Sequence, residues 1–181
     1  MITIIHGGHR KGLSFEAANA LKDLLVKKGC LVKLYSLMDY KIDFCCGNQP
    51  CQDSGVCIYT DVLTDEILPA VEDSNVFVVF TPTYFNLPPA MLKNFIDRCN
   101  LLLTVEERLK PYFAAWVSGQ TEEASLEQCR RGLVTFAEIC EFKPLANGFV
   151  LCVERDNHKL RLDDDDMSII QNLAINIASL D

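Results

Sequence analysis

Apolar residues occur along the chain in two alternating patterns, and these patterns predict its elements. Short runs of β-branched and aromatic residues, such as 76–80, are typical of strands that are covered on both faces. Elsewhere the apolar residues recur every three or four positions, as Ala17, Leu21 and Leu25 do, which indicates an amphipathic helix. The two kinds of segment alternate five times along the chain.

The predicted strands are 2–5, 31–37, 76–80, 112–117 and a fifth that ends at 149–153. The first predicted helix has Ser14 as its N-cap and stops at Gly29, and the others cover 60–72, 88–106, 126–140 and 167–180. This order predicts a parallel sheet with helices on both faces, which is a three-layer, doubly wound α/β fold. We expect one domain over 1–181 and the strand order 2-1-3-4-5, whose ligand crevice lies at the carboxyl ends of strands one and three.

Composition excludes several classes of function. The 17 basic and 25 acidic residues leave a net charge of −8, which argues against a nucleic-acid partner. No apolar run reaches the ~20 residues of a membrane span, so we expect no membrane partner. No secretory signal opens the chain, and we therefore expect a cytoplasmic protein.

Nine cysteines are many for 181 residues, and in a reducing compartment they are thiols or ligands rather than disulfides. Five lie in apolar context, where we interpret them as small buried hydrophobes: Cys30, Cys99, Cys129, Cys140 and Cys152. The other four cluster in one segment and are candidate metal ligands or redox thiols: Cys45, Cys46, Cys51 and Cys57. A run of aspartates, 163–166, is interpreted as the solvated first turn of the last helix rather than a metal site.

The loop after the first strand carries the features of an anion site. Glycines there let backbone amides point at an anion, and the helix that follows adds its dipole. The spacing matches neither a dinucleotide fingerprint nor a P-loop, so a monophosphate is the favoured ligand, and a plain helix-starting turn is the alternative. The candidate residues are Gly8, His9, Arg10, Lys11, Ser14 and Phe15. His6, just before them, is interpreted as a satisfied polar residue beneath the loop.

The loops after the third and fourth strands suggest a planar ligand. Two aromatic residues in a proline-stiffened loop suit a flat heteroaromatic ring, whereas a tight proline corner is the alternative. The candidates are Thr81, Pro82, Thr83, Tyr84, Phe85 and Asn86, with Ser118 and Gly119 from the next loop. A phosphate at one strand end and a ring at the neighbouring one describe a mononucleotide such as FMN.

These loops resemble those of the NAD(P)H-dependent FMN reductase and iron–sulfur flavoprotein family, within the flavodoxin-like superfamily. The family's first loop reads roughly Gly-Ser-Pro-Arg-x-x-Gly-Asn-Thr, and its ring loop reads Thr-Pro-x-Tyr followed by a helix with Lys-x-x-x-Asp-Arg. Here Gly7, Arg10 and the Ser14-Phe15 pair occupy the key positions of the first loop, and the second motif is matched by Thr81, Pro82, Thr83 and Tyr84, then Lys93, Asp97 and Arg98. The first loop departs at Gly8, His9 and Phe15, which removes side-chain phosphate donors and leaves the loop amides.

The resemblance implies an FMN-dependent oxidoreductase that takes a hydride from NAD(P)H and passes electrons to a small-molecule or protein acceptor. It implies no catalytic side chain, and it implies a homodimer or homotetramer. A non-enzymatic flavin or iron–sulfur electron carrier, or a redox-sensing module, is the alternative. Lys93, Asp97 and Arg98 are interpreted as outer charges of their helix, with structural or subunit-contact roles.

The cysteine segment resembles the cluster-binding loop of some family members. Aligned with Cys-x-x-Cys-x-x-Cys and a cysteine six positions later, it has Cys45, Asn48, Cys51 and Cys57, while Cys46 falls outside the register. One ligand position is therefore an asparagine, whereas four-iron clusters normally use four thiolates. Free or redox thiols, an iron–sulfur cluster and a zinc site all stay open.

Overall fold

A computed structural model describes residues 1–47, 50–103, 110–119, 123–145, 150–154 and 161–180, and these form a sheet with helices on both faces. The strands are β1 (Ile2–His6), β2 (Val32–Ser36), β3 (Val76–Pro82), β4 (Tyr112–Gly119), β5 (Lys143–Pro144) and β6 (Val150–Glu154). The helices are α1 (Leu13–Lys27), α2 (Pro50–Ser54), α3 (Leu68–Glu72), α4 (Ala90–Arg98), α5 (Glu123–Ile139) and α6 (Asp164–Ala178). A 3₁₀ turn (Leu37–Asp39) follows β2, a π-helical turn (Leu63–Ile67) leads into α3, and a 3₁₀ turn (Cys99–Leu103) follows α4.

The sheet is parallel and confirms the predicted order 2-1-3-4-5. The strands run β2-β1-β3-β4, and the fifth position is filled by two segments, since β5 pairs with the start of β4 and β6 with its end. The register places His6 beside Ser36 on one side and Phe80 on the other, so the carboxyl ends of these strands lie together.

Alternation along the strands builds the two halves of the core, because successive side chains point to opposite faces. Phe77 and Val79 pack in a cluster with residues of α3, α4 and α5. Val78 and Phe80 pack in the other cluster, with residues of α1 and α6. Helices on both faces give the three layers that the alternation of segments predicted.

The first helix begins differently from the prediction. Its N-cap is Gly12 rather than Ser14, and glycine has no side chain that could cap the helix. Ser14 lies in the first turn, where its hydroxyl contacts His6 instead of capping the helix. The predicted stop at Gly29 is confirmed: the helix ends just before it, and Gly29 has the left-handed φ of +86° that glycine adopts readily.

Three further boundaries differ from the periodicity. The helix predicted over 88–106 is α4 and its 3₁₀ turn, and the predicted end at Glu106 lies outside the described residues, as Phe149 does at the fifth strand. Helix α2 lies within the cysteine segment, where the sequence shows no helical period. Helix α6 begins at Asp164 rather than at 167, with a capping box between Asp163 and Asp166, so the acidic run does form the helix start, but Asp166 is buried rather than solvated.

Among the described residues, no helix has both the length and the apolar character that crossing a bilayer requires.

Candidate functional site

Three loops meet at the carboxyl edge of the sheet, after β1, β3 and β4. The His9 and Tyr84 rings are 5.3 Å apart, which joins the first loop to the second. The N–H of Thr83 donates to the carbonyl oxygen of Ser118 at 2.9 Å, which joins the second loop to the third. The structure therefore brings together the three segments that the sequence analysis selected.

The loop after β1 leads into a helix start that has no side-chain cap. The Gly12 N–H donates to the Arg10 carbonyl at 2.9 Å, and the Phe15 N–H donates to the Gly12 carbonyl at 2.9 Å. His9 and Arg10 are exposed above this turn. First-turn N–H groups carry partial positive charge, so the described geometry suits an anion such as a phosphate.

The two basic residues of this loop differ in their surroundings. The Lys11 Nζ lies 3.7 Å from a carboxylate oxygen of Asp39 and 5.3 Å from the centre of the Phe15 ring. Both charges of the Lys11–Asp39 pair are about half exposed, so the pair is weak and an incoming anion competes with it. The exposed Arg10 adds the second positive charge of the loop.

His6 is fully buried beneath the first loop. Its Nδ1 lies 2.9 Å from the Ser36 hydroxyl, and its Nε2 lies 3.2 Å from the Ser14 hydroxyl. Burial lowers the pKa of His6 to about 4, against a smaller opposing effect of the Asp39 charge, so the imidazole is neutral near pH 7. This confirms a satisfied polar residue, but Ser36 was missed because only the register of β1 and β2 brings it here.

The loop after β3 makes a tight turn that presents its aromatic residues. Tyr84 and Leu87 exchange backbone hydrogen bonds of 3.0 Å, and the two residues between them, Phe85 and Asn86, have φ of 51° and 62°. Left-handed backbone at both central positions is costly for a bulky side chain such as phenylalanine. The Phe85 side chain is 99% exposed and that of Tyr84 is 42% exposed. The turn therefore holds Phe85 away from the core, at the edge where the loops meet.

The loop after β4 holds the second loop in place and, in its described part, offers few exposed hydrogen-bond donors of its own. Ser118 is buried, and its carbonyl already accepts from Thr83. A Cβ at Gly119 would lie 2.3 Å from Leu126 Cδ2 and 2.7 Å from the Thr83 hydroxyl oxygen, so a side chain there would displace both neighbours. The Thr81 hydroxyl donates to the carbonyl of Pro82 at 2.8 Å.

Arg98 corrects the interpretation of its motif as outer charges of a helix. Its side chain is buried and pairs with Asp61 at 2.9 Å, while it also donates to the Asp43 carbonyl at 2.8 Å and lies over the Tyr59 ring. Burial alone would raise the pKa of Asp61, but the hydrogen bonds and charge of Arg98 lower it. Arg98 thus fastens the segment around the cysteines to α4.

Lys93 and Asp97 behave as interpreted: they form an exposed ion pair one helical turn apart.

The thiols of the cysteine segment contact different neighbours. The Asn100 side-chain amide donates to the Cys51 sulfur at 3.5 Å. The charge of Arg98 acts on the Cys57 thiol, and Tyr59 interacts with the Cys46 thiol. Cys45 is exposed.

This arrangement does not gather the cysteines around one point. Across the described ranges, no set of three or more His, Cys, Asp or Glu side chains lies close enough to hold a metal ion. Asn48, which stands at one ligand position of the family loop, lies outside the described residues. The described side chains thus do not form a preassembled cluster or zinc site.

The scattered cysteines are largely part of the core. Cys99, Cys129 and Cys140 are buried, and burial raises the pKa of Cys140 to about 11 and that of Cys99 well above its usual range. The Cys99 and Cys140 thiols are therefore protonated and unreactive, as expected of small buried hydrophobes. Cys30 is half-buried, which is less than expected, and the side chain of Cys152 lies outside the described residues.

Comparison with known proteins places the chain in a protein family. A family model described as "NADPH-dependent FMN reductase" matches residues 1–155. A protein named iron-sulfur flavoprotein, from Archaeoglobus fulgidus, is 26% identical over 134 residues, which cover 74% of this chain and 66% of that protein. The chain thus spans just under two thirds of that relative's length.

Solved structures share the fold at low identity. A flavodoxin, WrbA-like protein from Agrobacterium tumefaciens has a TM-score of 0.69 at 13% identity, over 99% of this chain and 96% of that one. RosB, crystallised with 8-demethyl-8-formylriboflavin 5′-phosphate bound, has a TM-score of 0.73 at 11% identity, over 99% of this chain and 77% of that one. These matches confirm the flavodoxin-like fold.

Proposed function

The chain belongs to the NADPH-dependent FMN reductase family, and from that premise we propose that it is an FMN-dependent oxidoreductase. It takes a hydride from NADH or NADPH and passes the electrons to a small-molecule or protein acceptor. The observation that carries the proposal is the meeting of three loops at the carboxyl edge of the sheet, beside a helix start without a side-chain cap. In open α/β sheets this edge is where ligands bind.

The first loop would hold the phosphate of FMN. The first-turn N–H groups of α1 supply donors, and Arg10 and Lys11 supply positive charge at an otherwise acidic protein's surface. Gly8 lets the loop pass directly over the His6 ring, because the imidazole occupies the space that a side chain at position 8 would need. The departures from the family loop at Gly8 and Phe15 remove side-chain donors, whereas the backbone donors remain.

The second and third loops would hold the flavin ring. Tyr84 and Phe85 provide aromatic surface beside the first loop, and Thr83 is fixed by its bond to the third loop. Bound FMN supplies the redox chemistry, because its ring accepts a hydride and releases electrons singly or in pairs. The chain itself then needs to orient the ring and the nicotinamide, and no side-chain acid or base is required.

Two comparisons support this proposal. The Archaeoglobus relative carries the name flavoprotein, and the RosB structure holds a derivative of riboflavin 5′-phosphate in the same fold. A non-enzymatic electron carrier would share the fold, and only kinetics separates the two functions.

The decisive experiment is reconstitution with FMN followed by anaerobic mixing with NADH or NADPH. We expect a yellow protein whose oxidised-flavin absorbance bleaches with at least one nicotinamide. A protein that binds FMN and stays oxidised with both would be an electron carrier instead. A colourless protein that does not take up added FMN would contradict both functions.

A matched pair of variants tests the phosphate site. Arg10→Ala and Lys27→Ala each remove one exposed positive charge, at opposite ends of α1. We expect Arg10→Ala to weaken FMN binding about 10-fold, the size of a lost charge-assisted hydrogen bond, with riboflavin binding unchanged. Lys27→Ala is expected to leave both affinities unchanged. Titration of flavin fluorescence measures all four values, and equal effects of the two variants would place the phosphate elsewhere.

A further inference from the structure

His6 connects two hydroxyl groups that lie on different elements. It is the last residue of β1, it is fully buried, and its ring meets the Phe15 ring edge-on at 5.3 Å. Ser36 ends the neighbouring strand β2, and Ser14 lies in the first turn of α1. The Ser36–His6–Ser14 chain therefore runs beneath the loop, from the edge of the sheet to the start of the helix.

The imidazole also fills the space that a side chain at position 8 would need. A Cβ on Gly8 would lie 2.6 Å from His6 Nε2, closer than carbon and nitrogen approach without a bond. The loop consequently has no hydroxyl at position 8, where the family loop that it resembles has serine. The Ser14 hydroxyl is the nearby group that His6 holds instead.

The tautomer of the neutral His6 imidazole decides whether the Ser14 hydroxyl can donate to a ligand. A neutral imidazole has one N–H donor and one acceptor nitrogen, so its two serine partners must play opposite roles. If Nδ1 carries the proton, Ser14 must donate to Nε2, and its hydrogen then points away from any ligand. If Nε2 carries the proton, Ser14 accepts from it and its own hydrogen is available to a ligand, while Ser36 donates to Nδ1.

We propose that His6 is a positioning residue for the flavin phosphate: the Ser36–His6–Ser14 chain turns the Ser14 hydroxyl into a donor to the phosphate oxygens. The proposal rests on the proposed function, since it requires FMN in the site. A phosphate is only an acceptor, so it selects the arrangement in which Ser36 donates to Nδ1 and Nε2–H donates to Ser14. Successive donors in one direction strengthen each other in a buried chain.

The test compares FMN with riboflavin, which lacks the phosphate, in serine variants. The readout is the ratio of the riboflavin Kd to the FMN Kd. We expect Ser14→Ala to lower this ratio about 10-fold, as the loss of a hydrogen bond to a charged group does. Ser36→Ala, although it removes no group next to the ligand, is expected to lower it about 3-fold or more, and the double variant no further than Ser14→Ala alone.

Ser74→Ala is the matched control. Its hydroxyl is also buried and bonded, to Thr3 and to the Ala70 carbonyl, but it precedes β3 at the opposite end of that strand. We expect this variant to lose stability without a change in the ratio. A ratio that falls with Ser14→Ala and stays constant with Ser36→Ala would overturn the proposal while the proposed function stands.

Nitrogen NMR of the unaltered protein with FMN bound tests the same chain directly. The chain has three histidines, so the His6 signals can be assigned with His9→Gln and His158→Gln. We expect the Nε2–H tautomer of His6, and an Nδ1–H tautomer would overturn the proposal. If the unaltered protein binds riboflavin as tightly as FMN, or binds neither, the proposed function fails first and this proposal with it.

Discussion

At the scale of single residues, the His6 ring occupies the space beside Gly8 where a side chain at position 8 would lie, so a histidine at position 6 requires a glycine at position 8. The His6 ring is held at both nitrogens and cannot turn aside to admit a Cβ at position 8. The glycine is thus required by a side chain two residues away rather than by its own backbone angles.

Gly8→Ala should therefore destabilise the protein. We expect a loss of about 1–3 kcal/mol of unfolding free energy, the usual cost of forcing an extra group into a packed site. Gly132→Ala is the control, because Gly132 lies on the exposed face of α5 with nothing near its Cβ position, and there the change should stabilise by about 0.5–1 kcal/mol. Urea unfolding measures the free energies of both variants, and equal effects would show that the His6 ring can move aside for the added Cβ.

His6 should also make stability depend on pH. Its pKa is about 4 in the folded protein and 6.5 in the unfolded chain, so between these values the unfolded chain binds more protons. Stability is then fully present above pH 6.5 and is lost as the pH falls toward 4, by roughly 3 kcal/mol at most. His6→Gln should flatten this slope in unfolding experiments between pH 4 and 7, and an unchanged slope would mean that other groups cause it.

At the scale of elements, Arg98 links α4 to the segment that carries the cysteines. The second loop of the site runs directly into α4, so the Arg98–Asp61 pair connects the cysteine segment to the helix that follows the ring loop. The neighbouring charges of the same motif, Lys93 and Asp97, remain in solvent.

These two ion pairs on one helix should differ in energy. Arg98→Ala leaves the Asp61 carboxylate, whose side chain is only 9% exposed, without its partner, and we expect a loss of about 3–5 kcal/mol. Lys93→Ala removes an exposed partner and should cost less than about 1 kcal/mol. Thermal or urea unfolding measures the loss of stability in each variant, and similar losses in the two would contradict a structural role for Arg98.

At the scale of the whole molecule, the site edge exposes apolar surface that a monomer would leave in water. Phe85 is 99% exposed, Leu87 is 50% exposed, and both lie on the ring loop. The resemblance to the family predicts a homodimer or homotetramer, and this loop is the segment that association would cover.

Sedimentation should therefore show a homo-oligomer of the unaltered protein. Phe85→Ser is expected to shift the equilibrium toward monomer, because it removes a large exposed apolar side chain from the predicted contact. Ile139→Ser, a similar change at the exposed end of α5, should leave the mass unchanged. A monomeric unaltered protein at micromolar concentration would contradict the prediction.

The sequence by itself determined the class of fold and the segments of the site. Hydrophobic periodicity is a local property, so apolar runs and three-to-four spacing identified the strands and helices of the core, and the order of elements implied the parallel sheet. Because the ends of parallel strands meet at one edge, the loops with Gly8, Tyr84 and Ser118 could be assigned to one crevice before any contact was known.

Only the tertiary structure decided which side chains meet within those segments. The partnership of His6 with Ser36 depends on the register of two strands, and the burial of Arg98 depends on how the cysteine segment folds back onto α4. Spacing along the chain cannot contain such contacts, since they follow from packing between distant segments. For the same reason a shared sequence segment did not bring three or more of the clustered thiols to one point among the described residues, and Cys51 instead contacts Asn100 of the turn after α4.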